Sequence, residues 1–301
     1  MIDFSRYLAA KVTVDDRSLN RLVWEQLKAA LSAREPDHPL RILELGCGIG
    51  TMVARLMDWG LADKVIYLGI DSQAENIRAA ESRLPAWGEQ NGYQIGVDAE
   101  GLVFEKRDLL WQIHFEQADV TTFQARQGYY DLLVAQAFLD LIDIPKALPG
   151  FARLLSPQGL FYFTINFDGA TIFEPVPDEI SEARIIDLYH QSMDQRRVEG
   201  QASGDSRAGR HLFNHLSAAG ADILAAGSSD WVVFPAPDDY PADEAYFLNC
   251  ILDFFESTLE GHPNLDPQEL ATWLTERREQ IQRGELTFIA HQLDFLGQFP
   301  S

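Results

Sequence analysis

The chain has 301 residues, 46% of them hydrophobic, enough to bury a substantial core as one large domain or one domain with a cap. Asp and Glu number 46 against 24 Lys and Arg, and the resulting net charge of -22 repels phosphate backbones and anionic bilayers, so neither nucleic acid nor membrane is an expected partner. Two cysteines, Cys47 and Cys250, are too few for a disulfide framework, and the opening Met-Ile-Asp-Phe-Ser-Arg-Tyr lacks a cationic lead and an apolar core, so a cytoplasmic location is expected.

Residues 1–34 read as helices. Asp15 and Asp16 open the second, with Leu19, Leu22, Val23, Leu27, Ala30 and Leu31 as its apolar stripe. Residues 35–39 have the composition of a linker. Three features then follow in close order. Ile42, Leu43 and Leu45 form a short apolar run, as in a strand buried on both faces. Gly46, Gly48 and Gly50 put a glycine at every second position of a turn, and from Thr51 the pattern is helical, with Met52, Val53, Leu56 and Met57 on one face. Such a strand, turn and helix suit a nucleotide-like ligand, because glycines let the backbone lie against it and a helix start offers free N–H groups. Val65–Ile70 is a second apolar strand ending in Asp71, where a carboxylate can hold a ribose diol. Two cofactor classes fit, nicotinamide dinucleotides and S-adenosylmethionine. The spacing here is G-x-G-x-G preceded by Glu44, rather than G-x-G-x-x-G. In this the sequence resembles the class I S-adenosylmethionine-dependent methyltransferases, over residues 40–165 or so.

That resemblance implies a Rossmann-like α/β fold, a doubly wound seven-stranded sheet with its last strand antiparallel, here with helical cap insertions. It implies cofactor contacts from Glu44, Gly46, Cys47, Gly48, Gly50, Asp71, Ser72, Asp119, Val120 and Gln136. Asp119, after the third strand Trp111–Gln117, takes the place of the acid that accepts from the adenine amino group, and a helix N-cap is its other reading. In many members an N-terminal helical segment covers the cofactor cleft, which would bring Tyr7 near it.

The rest of the chain follows in order. The helix after Asp71 is expected to break at Pro85, and residues 86–108 suggest an inserted hairpin. Asp131–Ala135 and Leu160–Ile165 read as the fourth and fifth strands, with Phe138 and Asn166 beyond their tips. A helix with Ala183, Ile186, Tyr189 and Met193 on one stripe lies in the first insertion, and two helices lie in the second. The division expected is a cap segment over 1–34, core over 35–167, cap insertion 168–206, core 207–234, helical cap insertion 235–283 and the final core strand in 284–301. No internal repeat is visible.

Methyl transfer needs positioning more than a catalytic signature, and none is visible. His190, His211, His215, Asp140 and Asp143 are general-base candidates if the acceptor must lose a proton. The histidines stand at no recognisable ligand spacing with carboxylates, so no metal is expected. Arg207, Arg210 and His211 form a cationic group in an acidic chain, suited to an anionic acceptor. The expectation is S-adenosylmethionine-dependent methylation of a small molecule, with Tyr7, Phe138, Asn166, Arg207, Arg210 and His211 on the acceptor side. The alternatives are a non-catalytic S-adenosylmethionine-binding module and, more weakly, a nicotinamide-dependent oxidoreductase.

Overall fold

The computed structural model describes residues 3–33, 38–198, 200–237 and 239–300. The N-terminal stretch forms three helices, α1 Phe4–Ala10, α2 Val12–Ser18 and α3 Arg21–Ser32. Asp15 and Asp16 therefore lie inside a helix rather than opening one. The striped helix α3 is instead opened by Asn20, whose side chain accepts from the Val23 N–H at 3.1 Å. The linker expected over 35–39 lies partly outside the described residues. There follow β1 Leu40–Leu45, α4 Thr51–Asp58, β2 Lys64–Asp71, α5 Ala74–Gln90, β3 Gln94–Asp98, β4 Gly101–Lys106, β5 Leu109–Gln117 and β6 Tyr130–Gln136. A 3-10 turn, Leu139–Leu141, leads to α6 Ile144–Leu154, β7 Leu155–Glu174, α7 Glu179–Asp194 and the two-residue strands β8 Arg197–Val198 and β9 Gln201–Ala202. The chain closes with α8 Ala208–Ala218, β10 Asp222–Ser228, β11 Trp231–Val233, α9 Glu244–Leu259, α10 Pro267–Gln282 and β12 Thr287–Gln298.

One ten-stranded sheet runs β10-β12-β7-β6-β1-β2-β5-β4-β3, with β11 paired to β12. Its centre, β5-β2-β1-β6-β7, is parallel. Strand β12 runs antiparallel to both its neighbours, as expected of the last strand in a seven-stranded core. The strand count is higher because the hairpin β3–β4 extends the sheet antiparallel to β5 and β11 adds to β12. The chain order reverses between β1 and β6, which puts a switch point at their carboxyl ends.

Three local expectations need correction. Helix α5 continues through Pro85, because Gly88 beyond the expected break stays buried against the sheet extension, where a Cβ on it would lie 2.5 Å from Phe104. Strand β7 is 20 residues long, so Asn166 lies within it and not at its tip. The inward residues of α7 are Glu182, Ile185 and Leu188, one position away from the expected stripe. A glutamate on the inner face hid that register, and it is drawn inward by the fully buried Arg277 and by the Trp273 indole N–H.

The later helices gather with α1 into one apolar layer. Tyr7 stacks on Phe247 of α9 with centroids 5.9 Å apart, and Tyr189 of α7 stacks on Phe255 at 3.8 Å. Phe173, at the far end of β7, meets Phe255 and Trp273 edge-on. Buried Glu244 of α9 accepts from Arg17 at 2.5 and 2.9 Å and from Thr13 at 2.7 Å, tying α2 to the same layer. No helix among the described residues is long and apolar enough to cross a membrane.

Candidate functional site

The glycine turn leaves the end of β1 with Gly46, Gly48 and Gly50 at φ of +67°, +53° and +72°, the left-handed region that disfavours any residue with a Cβ. Close approach adds to this, since a Cβ on Gly46 would lie 2.6 Å from the Phe138 ring. The Gly48 N–H donates to Asp71 Oδ2 at 3.0 Å, so the tip of β2 braces the turn. The other Asp71 oxygen accepts from the Gln73 N–H at 2.8 Å and Asn76 Nδ2 at 3.1 Å. Ser72 is exposed beside it.

Glu44, one residue before the end of β1, is buried, and its carboxyl accepts the Tyr67 hydroxyl. Burial pushes its pKa up to about 8, against the lowering effect of that hydrogen bond and of Arg55. Burial likewise pushes the Cys47 thiol up. Gln136, at the end of β6, spans two helices: Arg55 donates to its Oε1 at 2.9 Å and its Nε2 donates to Asp15 Oδ2 at 2.8 Å. Asp15 is wholly buried, and also takes the Trp231 indole N–H at 3.0 Å and Lys11 Nζ at 3.3 Å. An unpartnered carboxylate there would cost several kcal/mol, so these contacts hold α2 firmly over the turn. Asp119 is exposed, and its Oδ1 is engaged by the Thr121 N–H at 2.7 Å and hydroxyl at 2.6 Å, with half-buried Val120 between. Among the described residues no helix begins here, so the N-cap reading is replaced by a turn closed on Asp119.

A small cavity of about 30 Å³ remains at the turn, lined by Glu44, Gly46, Gly48, Thr51 and Gln136 and roofed by Leu8 and Lys11. Leu8 and Lys11 were not visible as site residues in the sequence. A lysine four residues before a helical aspartate carries no signature, and only the folding of α1 and α2 over β1 brings it here. The chemistry of the lining fits an adenosyl amino-acid cofactor: the glycine-turn backbone, the Glu44 carboxyl and the Lys11 cation share one cavity. The space is well below the several hundred Å³ such a ligand fills.

A larger cavity of about 450 Å³ lies beyond the 3-10 turn, lined by Ile142, Asp143, Pro145, Asp194, Arg207 and His211 among others. Its wall is stitched by Ser203 Oγ donating to the Leu141 carbonyl at 2.8 Å and by the Asp205 N–H donating to the Asp140 carbonyl at 3.3 Å. Asp140, in the 3-10 turn, has its pKa raised to about 6 by burial, while Arg196 and Lys11 pull it down. Its charge is felt by the hydroxyls of both Tyr7 and Tyr189. Of the other candidate bases, His190 is held at 3.0 Å from the Thr171 hydroxyl and burial lowers its pKa.

The acceptor-side residues divide. Arg207 faces the cavity. Arg210 does not line it, because its Nε donates to Asp168 Oδ1 and its NH2 to the Asp168 carbonyl, each at 2.8 Å. The expected arginine pair is therefore reduced to one. His211 is engaged too, its Nδ1 2.7 Å from Asp205 Oδ2. Asn166 is wholly buried and donates to the Leu293 carbonyl at 2.9 Å, within the sheet rather than toward the cavity. Phe138 is half-buried against Gly46, and Tyr7 packs in the aromatic layer.

A parallel sheet with a glycine turn at its switch point, and a carboxylate bracing that turn from the next strand, defines a Rossmann-like domain for a nucleoside-bearing cofactor. The family is shown by sequence: residues 17–199 match the family model described as Methyltransferase domain, and the chain belongs to the class I S-adenosylmethionine-dependent methyltransferases. S-adenosylmethionine is the cofactor of that family. Among solved structures, a candidate methyltransferase from Bacillus halodurans is 12% identical, with 92% of this chain and 100% of that one covered at a TM-score of 0.50. A methyltransferase from Thiobacillus denitrificans, crystallised with S-adenosyl-L-homocysteine, is 16% identical over 99% of both chains, with a TM-score of 0.48. At such identities the likeness is one of fold. Among curated proteins, none matches the sequence.

Proposed function

We propose that this protein transfers the methyl group of S-adenosylmethionine to a small-molecule acceptor held on the Arg207 side of the cleft. The observation that carries the reading is the left-handed triple-glycine turn tied to Asp71 at the switch point. In this reading Asp71 exchanges part of its present hydrogen bonding for the ribose hydroxyls, and Asp119 and Val120 flank the adenine. Lys11 meets the amino-acid carboxylate, and Leu8 and Phe138 withdraw as the cofactor enters. The bound cofactor supplies an electrophilic methyl on a sulfonium. This chain supplies alignment, shelter from water beneath α1 and α2, and a proton acceptor, Asp140, where the acceptor group must lose a proton. Arg207 orients an anionic group of the acceptor.

Calorimetry with S-adenosylhomocysteine tests the cofactor half. Binding is expected for the wild type, weakened by roughly 1.5–3 kcal/mol in Asp71→Ala. Tight binding of NAD with no response to S-adenosylhomocysteine would sink the reading. If S-adenosylhomocysteine binds but no member of an acceptor library yields it from S-adenosylmethionine, the protein is a binding module. With an active acceptor, the rate should rise with pH through about 6 as Asp140 ionises, and Asp140→Asn should remove that limb.

A further inference from the structure

We propose that Asp205, His211 and His215 form a binding site for one divalent transition-metal ion in the wall of the larger cavity. The site is separate from the glycine turn and does not depend on the methyl-transfer reading. His211 and His215 stand one turn apart on α8, so their rings emerge on one face. Asp205 precedes that helix in a fixed position: its carbonyl accepts from the Ala208 N–H at 3.2 Å, its N–H is bound to Asp140, and its Oδ1 accepts from the Arg207 N–H at 2.9 Å. This leaves Oδ2 beside His211 Nδ1 at 2.7 Å. One ligand atom from each of the three residues lies within 4.8 Å of the others.

Donors bound to zinc at roughly 2.0–2.2 Å sit about 3.3–3.5 Å apart in a tetrahedron. An ion would therefore replace the Asp205–His211 hydrogen bond, the two groups parting from 2.7 Å by roughly 0.7 Å. Two imidazoles and a carboxylate suit Zn²⁺, Co²⁺ or Ni²⁺ rather than Ca²⁺ or Mg²⁺. Three protein ligands leave a coordination position free, and here the cavity of about 450 Å³ gives it room. Asp143 and Asp194 on the same lining add negative charge that favours a cation. Arg207, also on the lining, disfavours a second cation but suits an anionic co-ligand completing the coordination shell. The competing account is that Asp205 and His211 form an ordinary half-exposed hydrogen bond and His215 merely lies beside them.

Chelator-stripped, untagged protein titrated with Co²⁺ and then Zn²⁺ separates the two. The wild type is expected to take up one ion per chain, developing the visible d–d absorption of low-coordinate cobalt, which Zn²⁺ then displaces. His215→Ala and Asp205→Asn should each weaken binding by roughly tenfold or more. Among the described residues the His215 side chain makes a ring contact with His211 and no hydrogen bond, so its replacement leaves the Asp205–His211 pair and the fold in place. S-adenosylhomocysteine affinity and circular dichroism in that variant should match the wild type. Absence of a cobalt band at stoichiometric metal, or wild-type affinity retained in both variants, overturns the proposal.

Discussion

The proposed cofactor side and the proposed acceptor side of the cleft are made differently. Around the glycine turn the chain is nearly contiguous. Residues 44–51 line a cavity of about 30 Å³, and the remote contributions, Gln136 and the roof of Leu8 and Lys11, close it. Beyond the 3-10 turn the cavity is about 450 Å³, and its lining comes from residues 142–145, Asp194 and 204–215. The closed half is defined by backbone shape, which few sequences can satisfy. The open half is defined by side chains on insertions, which can vary without disturbing the sheet. A fold of this kind can keep one cofactor and change acceptors, because the two requirements fall on different segments.

The halves also differ in what they bury. Glu44 is raised to about 8 in the closed half, whereas Asp140 in the open half reaches about 6, both mainly by burial. A carboxyl with a higher pKa in the folded state contributes stability that is full below its unfolded pKa and lost as pH rises through the folded value. Ligand-free protein should therefore lose stability from about pH 5 to about pH 8 by several kcal/mol on account of Glu44. Urea melts across that range should be flatter for Glu44→Gln. Asp140→Asn should remove a smaller slope, confined to pH values near 6 and below. Equal slopes in both variants would erase this contrast between the halves.

Glycines provide the next test, since each half contains one that cannot carry a side chain. Gly46 has φ +67° with Phe138 at 2.6 Å from a Cβ, and Gly204 has φ +152° with the Met193 carbonyl at 2.4 Å. Alanine at either should cost about 2–3 kcal/mol from backbone strain and overlap. Gly46→Ala should in addition weaken S-adenosylhomocysteine by roughly tenfold or more, while Gly204→Ala should leave it unchanged. Calorimetry on both variants distinguishes a divided cleft from a single cooperative pocket, in which both would lose affinity.

The same division explains what could be read from sequence. Strand, turn and Asp71 are separated by few residues, so spacing alone predicts their meeting, and β5, β6 and β12 were legible from apolar runs. Asp15 and Arg55 were not, because their contacts with Gln136 join segments as much as 121 residues apart, and Lys11 is drawn in through Asp15. Spacing suggested no metal site, yet a loop aspartate and two histidines on the following helix converge once α8 is docked. The inward face of α7 misled for a related reason: Glu182 is charged and buried, and its partner Arg277 lies 95 residues away.

The two arginines at the start of α8 sharpen the comparison at the smallest scale. They are three residues apart and look equivalent in sequence, but the fold assigns them to different neighbours. Arg210 is bound to Asp168, which is itself buried, and its side chain is 52% exposed. Removing it should lower stability by about 1 kcal/mol or less, because solvent screens the exposed end and the Arg210 backbone N–H still serves the carboxylate at 2.7 Å. Among the described residues Arg207 makes no side-chain ion pair that would be broken, so Arg207→Ala should melt within about 0.5 kcal/mol of the wild type. Its effect should appear instead in acceptor KM, raised roughly tenfold for an anionic acceptor and not for a neutral analogue. Arg210→Ala should leave KM for both unchanged. If Arg210→Ala raises KM as much as Arg207→Ala does, Asp168 must release its partner when the acceptor binds, and the arginine pair would be restored to the site.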